Sequence, residues 1–188
     1  VVLIDNDANL GFGAGCNQGI AAAAGERILL LNNDVVVTNG WLTRLHAALD
    51  ADPDLGIVGP RSNRVAGAQL VEECGYDIAT LDGLDDWAST WSAQHAHSVR
   101  PIDRVIGFCM LMRRNVIREI GGFDLRFGLG NFEDDDICLR ARVAGWKIAI
   151  VDDSFIHHVG SHTFTSERID YSASIAEGFA RFSRKWRM

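Results

Sequence analysis

The sequence predicts an α/β fold whose sheet is mixed, mostly parallel and flanked by helices. Short apolar runs, which are typical of strands buried on both faces, occur at 1–4, 28–31 and 56–59. Amphipathic patterns with helical spacing lie between them, at 11–24 and 41–49. Because strands that alternate with helices along a chain usually pair in parallel, this order favours a largely parallel sheet.

The second half of the chain continues with the same kinds of element. Strands are predicted at 105–112 and 147–151, and helices at 115–120, 134–144 and 166–186. Residues 61–100 show little periodicity, and we expect an irregular insertion there. A length of 188 residues is typical of one domain, so 1–188 is predicted to be a single unit.

Composition and charge exclude some classes of protein. Apolar residues make up 47% and charged residues 23%, which is ordinary for a folded globular domain. The net charge of −7 argues against a nucleic-acid binder, which usually carries a basic face. The four cysteines are far apart and form no CxxC pair, so we expect reduced thiols and a cytoplasmic protein.

The segment Asn32-Asn33-Asp34 follows directly after a predicted buried strand. Ligands of open α/β sheets bind at the carboxyl ends of the strands, and a carboxylate flanked by amides suits a hard divalent cation. A polar turn explains the same residues, because Asn and Asp are favoured in turns. Both interpretations stay open on this segment alone.

Four successive carboxylates at 133–136 lead into the helix predicted at 134–144. Negative charge is favoured at a helix N-terminus, so capping by Asp134 or Asp136 explains part of the cluster. A nearby metal or cationic substrate region would explain the remainder, and one carboxylate would then be available as a general base. Which carboxylate this is stays open on the residues alone, and the remaining ones, Asp135 and Asp136 among them, would face solvent or cap the helix.

A pair of histidines, His157 and His158, lies near the end of the last predicted strand. Histidine is a common metal ligand. Because successive side chains of an extended segment face opposite ways, only one of the two should point at any one site.

In their order along the chain, these segments resemble the family 2 glycosyltransferases of the GT-A fold. The matching stretches are NLGFGAGCNQGI at 9–20, LNND at 31–34, GFCML at 107–111, GGFD at 121–124, FEDDDICLR at 132–140 and HVG at 158–160. The resemblance covers nearly the whole chain. It implies a Rossmann-type GT-A fold and transfer of a sugar from a nucleotide-diphosphate sugar to a hydroxyl of a carbohydrate or lipid-linked acceptor.

The resemblance also implies roles for individual residues. Asp34 would bind Mn²⁺ or Mg²⁺, with His158 as a further ligand and His157 as the alternative to it. Asp134 would be the general base of an inverting displacement, and Glu133 would orient the base or the acceptor. Donor contacts are expected from Asn9, Gly11, Asn32, Asn33 and Asp34, and acceptor contacts from Gly107, Phe108 and Phe132.

Two departures from the family pattern qualify these expectations. Asn32 stands at the first position of the metal-binding D-x-D segment, which leaves one carboxylate instead of two. The chain also starts at the predicted strand 1–4, so the first nucleotide-binding strands are expected to be missing. A non-catalytic binding remnant of such an enzyme and a metal-dependent nucleotidyltransferase therefore stay open as rival hypotheses.

The last residues of the predicted C-terminal helix, at 181–187, are basic and aromatic. A solvated helix end explains them, because cations are favoured near a helix C-terminus. The alternative is a peripheral contact with an anionic membrane surface, which would hold the protein at the inner face of the membrane.

Overall fold

The structure is a computed structural model that describes residues 1–160 and 171–188. The strands are β1 (Arg27–Leu31), β2 (Val35–Val37), β3 (Leu55–Ser62), β4 (Val99–Pro101), β5 (Cys109–Arg113) and β6 (Lys147–His158). The α-helices are α1 (Phe12–Ala22), α2 (Trp41–Ala51), α3 (Leu84–Gln94), α4 (Arg114–Ile120), α5 (Glu133–Val143) and α6 (Tyr171–Trp186). The predicted start of the last helix, at 166–170, lies outside the described residues.

The strands form one mixed sheet in the order β1-β5-β3-β6-β2, and β4 pairs with β6. Strands β3 and β6 are parallel, whereas the other four pairs found in the described part of the chain are antiparallel. The α/β class is confirmed, but the prediction of a mostly parallel sheet is wrong. A continuous apolar run indicates that a strand is buried on both faces and carries no information about its direction.

Helices cover both faces of the sheet, as neighbouring residues of β3 show. Ile57 belongs to a core cluster that includes Ile20 of α1 and Ile137 of α5, whereas Val58 packs in a second cluster with Leu45 of α2. This alternation follows from the two-residue period of a strand. No helix in the described ranges is both long and apolar enough to cross a membrane.

Two predictions for the first hundred residues are wrong. Residues 1–4 form no strand, and their side chains are exposed; an apolar run favours extended backbone, but a stable strand also needs a sheet to pair with. The segment 61–100 is less irregular than expected, since it contains α3. Two of the buried positions of that helix are Ala88 and Ser92, which give little hydrophobic signal in the sequence.

Strand β6 is longer than predicted and ends at His158 instead of at 151. Its middle carries the buried carboxylates Asp152 and Asp153, which interrupt the apolar pattern. Asp152 is paired with Arg61 at 3.4 Å and with Arg100 at 3.3 Å. Buried charges persist when they are paired in this way, so the strand continues beyond its predicted end at 151.

The antiparallel direction of β5 brings the residues that follow β1, those that precede β5 and the end of β6 to one edge of the sheet. Strand β5 is antiparallel to β1, with Leu31 opposite Cys109, so it begins where β1 ends. The N–H of Asn32 donates a 2.9 Å hydrogen bond to the carbonyl of Phe108. The same edge receives the end of β6, because Val35 of β2 lies opposite His158.

Candidate functional site

Asp34 and His158 face each other at this edge of the sheet. The distance from Asp34 Oδ1 to His158 Nε2 is 3.3 Å, and both side chains are largely buried, with 16% and 14% of their surface exposed. The N–H of Val159 donates to the carbonyl of Asp34 at 2.9 Å, which fixes the turn before β2 against the end of β6.

The surroundings of His158 fix the direction of its ring. Its Nδ1 lies 2.8 Å from the carbonyl of Arg64, which can only accept, so Nδ1 carries a proton and Nε2 is the ring nitrogen that points towards Asp34. The ring stacks on Phe108, with centroids 5.0 Å apart. A histidine that donates one ring N–H to a carbonyl is the usual arrangement of a metal ligand.

Asp34 Oδ1 is buried and has no hydrogen-bond partner in the described ranges. A buried carboxylate oxygen without a hydrogen bond is costly, and here it faces Nε2 of His158. The pair therefore fits a divalent cation, which binds carboxylate oxygen and neutral imidazole. No group of three or more His, Cys, Asp or Glu residues suited to a metal occurs in the part of the chain that the structure describes. A cation held here would need further ligands from substrate or water.

His157 points to the other side of β6. It is 3% exposed, and its Nδ1 lies 2.8 Å from the hydroxyl of Tyr76. Burial, with the neighbouring His158, lowers the pKa of His157. The two histidines thus face opposite ways, as expected for a strand, and the one beside Asp34 is His158.

Asp134 lies in the first turn of α5. The N–H of Asp135 donates to its Oδ1 at 2.9 Å, and the N–H of Gly107 donates to its Oδ2 at 3.3 Å. Burial, followed by repulsion from Glu133 and Asp135, raises the pKa of Asp134 from 3.8 to about 7. A carboxyl group with such a pKa exchanges its proton near neutral pH, which a general base requires.

Glu133 precedes Asp134 and is buried. Its Oε2 has no hydrogen-bond partner in the described residues. Burial is the main cause that raises the pKa of Glu133. A second carboxyl group that can bind a hydroxyl or a cation therefore lies next to the first.

Asp135 and Asp136 form ion pairs with basic side chains, so the expectation that they face solvent or cap the helix is wrong. Asp135 pairs with Arg104 at 2.6 Å. Asp136 is fully buried, lies 2.6 Å from Lys185 and accepts from Arg140 at 2.8 Å. The local pattern of a helix start could not reveal these partners, which come mostly from distant parts of the chain.

Two consecutive residues, Gly107 and Phe108, connect the acidic turn with the Asp34–His158 pair. Gly107 donates its N–H to Asp134, and Phe108 stacks on His158. A Cβ atom at Gly107 would lie 2.9 Å from Phe12 Cζ and 3.8 Å from Asp134 Cβ, so glycine permits this approach. These contacts bring the predicted base and the predicted metal ligands to one region.

Other predicted site residues lie around this region. Asn9 Oδ1 accepts from the N–H of Gly11 at 2.8 Å, and Gly11 packs on the backbone of Gly128 and Leu129. A groove of about 340 Å³ runs between α1 and β1 and reaches Asn32. Gly11 thus contacts the 128–129 loop, and the donor contacts of Asn9 and Gly11 stay predictions.

Phe132, at the start of α5, packs on the last helix. Its ring centroid lies 5.7 Å from those of both Phe179 and Phe182. Asn33 is exposed in the turn after β1. The acceptor role of Phe132 and the donor role of Asn33 stay predictions.

Three residues near the site escaped the sequence analysis. Arg64 orients His158 through its backbone carbonyl, Arg104 neutralises Asp135, and Phe12 lies against Gly107. None of these residues carries a local pattern that identifies it. Phe12 lies within the family-like stretch at 9–20, but that stretch gave no role to its ring.

Comparisons with known proteins bear on the family of this chain. A family model described as "Glycosyltransferase like family 2" matches residues 1–175. An uncharacterized protein of Mycobacterium bovis is 30% identical over 181 residues, which cover 89% of this chain and 62% of that protein. The N-acetylglucosaminyl-diphospho-decaprenol L-rhamnosyltransferase of Mycobacterium tuberculosis is 26% identical and is matched over 87% of this chain and 60% of its own length.

A similar solved structure is a mannosyltransferase of Pyrobaculum calidifontis in complex with GDP-Man and Mn²⁺. Its TM-score is 0.58 at 17% identity, over 97% of this chain and 46% of that one. At this identity the likeness concerns the fold. The chain spans about three-fifths of the length of the two curated relatives above.

Proposed function

Because this chain belongs to the family 2 glycosyltransferases and has their GT-A fold, we propose that it transfers a sugar from a nucleotide-diphosphate sugar to a hydroxyl group. One observation carries the proposal: a carboxyl group poised near neutral pH, Asp134, is connected through Gly107 and Phe108 to the Asp34–His158 pair. A proton acceptor that is connected to a metal-binding pair is what this transfer needs.

Asp34 and His158 are the residues that would hold Mn²⁺ or Mg²⁺. A bound cation neutralises the negative charge that develops on the departing nucleoside diphosphate. Only one carboxylate is contributed by the LNND segment, so the donor diphosphate itself would complete the binding of the ion. Asn32 and Asn33 lie in the same turn and would contact the donor.

Asp134 would remove the proton from the acceptor hydroxyl. The freed oxygen forms a bond to the anomeric carbon while the bond from that carbon to the diphosphate oxygen breaks, so the configuration is inverted. The proton stays on Asp134 and the electron pair leaves with the nucleoside diphosphate. Glu133 would hold the acceptor or keep Asp134 basic through its own charge. The acceptor would be bordered by Gly107, Phe108 and Phe132.

The name of one relative favours a carbohydrate or lipid-linked acceptor. The relative from Mycobacterium tuberculosis is named for transfer of rhamnose to a diphospho-decaprenol-linked sugar. We therefore propose that this protein acts in the synthesis of a cell-envelope polysaccharide or glycolipid, with 1–188 contributing one catalytic domain.

The test is a transfer assay with Mn²⁺ and a panel of nucleotide sugars that includes GDP-, UDP- and dTDP-linked sugars. Simple sugars and short polyprenyl-diphosphate sugars serve as acceptors, and mass spectrometry identifies the product. We expect release of nucleoside diphosphate that depends on the acceptor. Release of pyrophosphate would indicate a nucleotidyltransferase instead, and nucleotide binding with no turnover of any donor would indicate a binding remnant.

The last helix, α6, is the part of the chain that we propose contacts the inner face of a membrane. Ile175 and Phe179 are exposed on it, as are Arg184 and Arg187. Lys185 does not contribute, because it is paired with Asp124 and Asp136. The charge available to lipid is therefore smaller than the basic sequence at 181–187 indicates.

We predict weak binding of the protein to vesicles that contain anionic lipid and none to neutral ones, measured by co-sedimentation. Replacing Phe179 and Arg184 together with Ser should abolish it, since apolar burial and charge both contribute. The matched control is Val143→Ser with Arg118→Ser, two exposed positions on other helices. Equal sedimentation of all three proteins would contradict the membrane contact.

A further inference from the structure

The last helix is connected to the catalytic segment through a buried carboxylate, Asp136. Lys185 Nζ lies 2.6 Å from Asp136 Oδ1, and the indole N–H of Trp186 donates to the same oxygen at 3.0 Å. Asp136 is two residues from Asp134 and has no exposed surface. Lys185 is itself 17% exposed, and it also pairs with Asp124 at 2.7 Å.

The same helix packs on the residues just before α5. Phe132 contacts Phe179 and Phe182, and the amide of Asn131 donates to the hydroxyl of Ser174 at 2.8 Å. A Cβ atom at Gly178 would lie 2.9 Å from the carbonyl oxygen of Asn131, so the helix backbone lies directly against this loop.

The backbone at the start of α5 needs such support. Asn131 and Phe132 have φ angles of 75° and 70°, in the left-handed region that residues other than glycine rarely adopt. Strained backbone of this kind persists only where surrounding contacts hold it. In addition, Phe132 occupies the N-cap position of α5, and its side chain makes no capping hydrogen bond.

The two cations on Asp136 have different tasks. Arg140 lies on the same helix and also donates to the carbonyls of Ile120 and Gly122, at 2.7 and 2.8 Å, so it fixes α5 to the end of α4. Lys185 comes from α6 and joins Asp136 to Asp124. The charge of Lys185 therefore lies beside Asp136 only while α6 is packed against this segment.

We propose that α6 is a clamp on the acceptor side of the site and that Lys185 is its principal positioning residue. By neutralising Asp136 it holds the first turn of α5, and with it the Asp134 carboxylate, in the geometry that the proposed transfer requires. This inference rests on the proposed function for its effect on catalysis. Its structural part, the coupling of Lys185 to the 130–136 segment, is independent of that function.

The test compares Lys185→Met with Lys185→Arg and with Lys147→Met. Lys147 is a matched control because it also bridges two carboxylates, Asp52 at 3.1 Å and Asp54 at 3.2 Å, but at the opposite end of β6. Backbone hydrogen exchange of the protein without ligand is the first readout. Lys185→Met should raise the exchange rate of amides at 130–137 by about tenfold while leaving those of β3 unchanged.

Steady-state kinetics with the donor found in the transfer assay are the second readout. Lys185→Met should lower kcat by about 10- to 100-fold, because a displaced base acts far less efficiently, with little change in the KM for the donor. Lys185→Arg should recover most of the rate, and Lys147→Met should resemble the unmodified protein in both readouts.

The outcomes separate the inference from the proposed function. Faster exchange at 130–137 supports the clamp even if no donor is turned over, a result that would count against the proposed function alone. Unchanged exchange there in Lys185→Met overturns the clamp. An unchanged kcat in an active enzyme overturns it as well. A general loss of exchange protection that includes β3 would assign Lys185 to overall stability and would likewise overturn the positioning role.

Discussion

Replacing Asp134 with Asn is expected to lower the rate of sugar transfer by about 10²–10⁴-fold, the usual contribution of a general base. Asn keeps the shape of the side chain and can still accept from one of the two N–H groups that bond Asp134, those of Gly107 and Asp135, but it cannot take a proton. Binding of nucleoside diphosphate with Mn²⁺ should change little, because Asp34 and His158 are untouched. Calorimetric titration with UDP, GDP and dTDP measures this binding.

The same substitution should make the protein more stable above pH 7. The folded-state pKa of Asp134 is raised from 3.8 to about 7, so the folded protein resists ionisation of a group that ionises readily when unfolded. Stability is therefore lost as the pH rises from about 4 to 7, and the loss is complete above 7. Removing the group should raise the free energy of unfolding at pH 8 by on the order of 2 kcal/mol, a value reduced to allow for partial solvent access.

Denaturant unfolding at pH 4 and at pH 8 checks the sign, since the gain should appear only at the higher pH. In the unmodified enzyme, the transfer rate should fall as the pH drops through about 7, because Asp134 becomes protonated. Asp54→Asn is the matched control, because Asp54 is an exposed carboxylate paired with Lys147. It should change neither the stability at pH 8 nor the transfer rate. Full activity of Asp134→Asn would remove the base assignment.

The sequence predicted the α/β class and the family, and it named candidate site residues whose roles stay predictions. Asp34, His158 and Asp134 became candidates through segments that resemble the family, and the contacts of Gly107 and Phe108 connect them in the structure. The connection between them was not predictable, since it depends on β5 running antiparallel to β1 and delivering Gly107 and Phe108 to the same edge. Strand direction is decided by tertiary pairing, which apolar periodicity does not record.

Ion pairs between distant residues were also beyond the sequence. Asp135 and Asp136 look alike in the run EDDD, yet one pairs with Arg104 and the other with Lys185. Helix-start rules assigned both to solvent or to capping, because those rules consider only local neighbours. The four carboxylates at this helix start thus have four different environments, and only the folded chain distinguishes them.

The second large effect is expected from the metal pair. Replacing Asp34 with Asn should remove most of the Mn²⁺-dependent gain in nucleoside-diphosphate affinity, by roughly 100-fold or more. Loss of a group that only supports a metal ligand lowers metal affinity by about 10–100-fold. Asp34 is proposed as a ligand itself, so its loss should cost at least as much. Titrations with and without Mn²⁺ give the gain directly, and Asp86→Asn, on the exposed face of α3, is the control.

Matched glutamine substitutions then decide between the two histidines. His158→Gln should remove the Mn²⁺-dependent gain, because the ring nitrogen that faces Asp34 Oδ1 at 3.3 Å is lost. His157→Gln should keep it and lower stability instead, since the buried ring of His157 packs beside Tyr76 and is bonded to its hydroxyl. The reverse pattern would restore His157 as the ligand. Equal affinity in all variants, with and without Mn²⁺, would mean that no metal acts at this edge of the sheet.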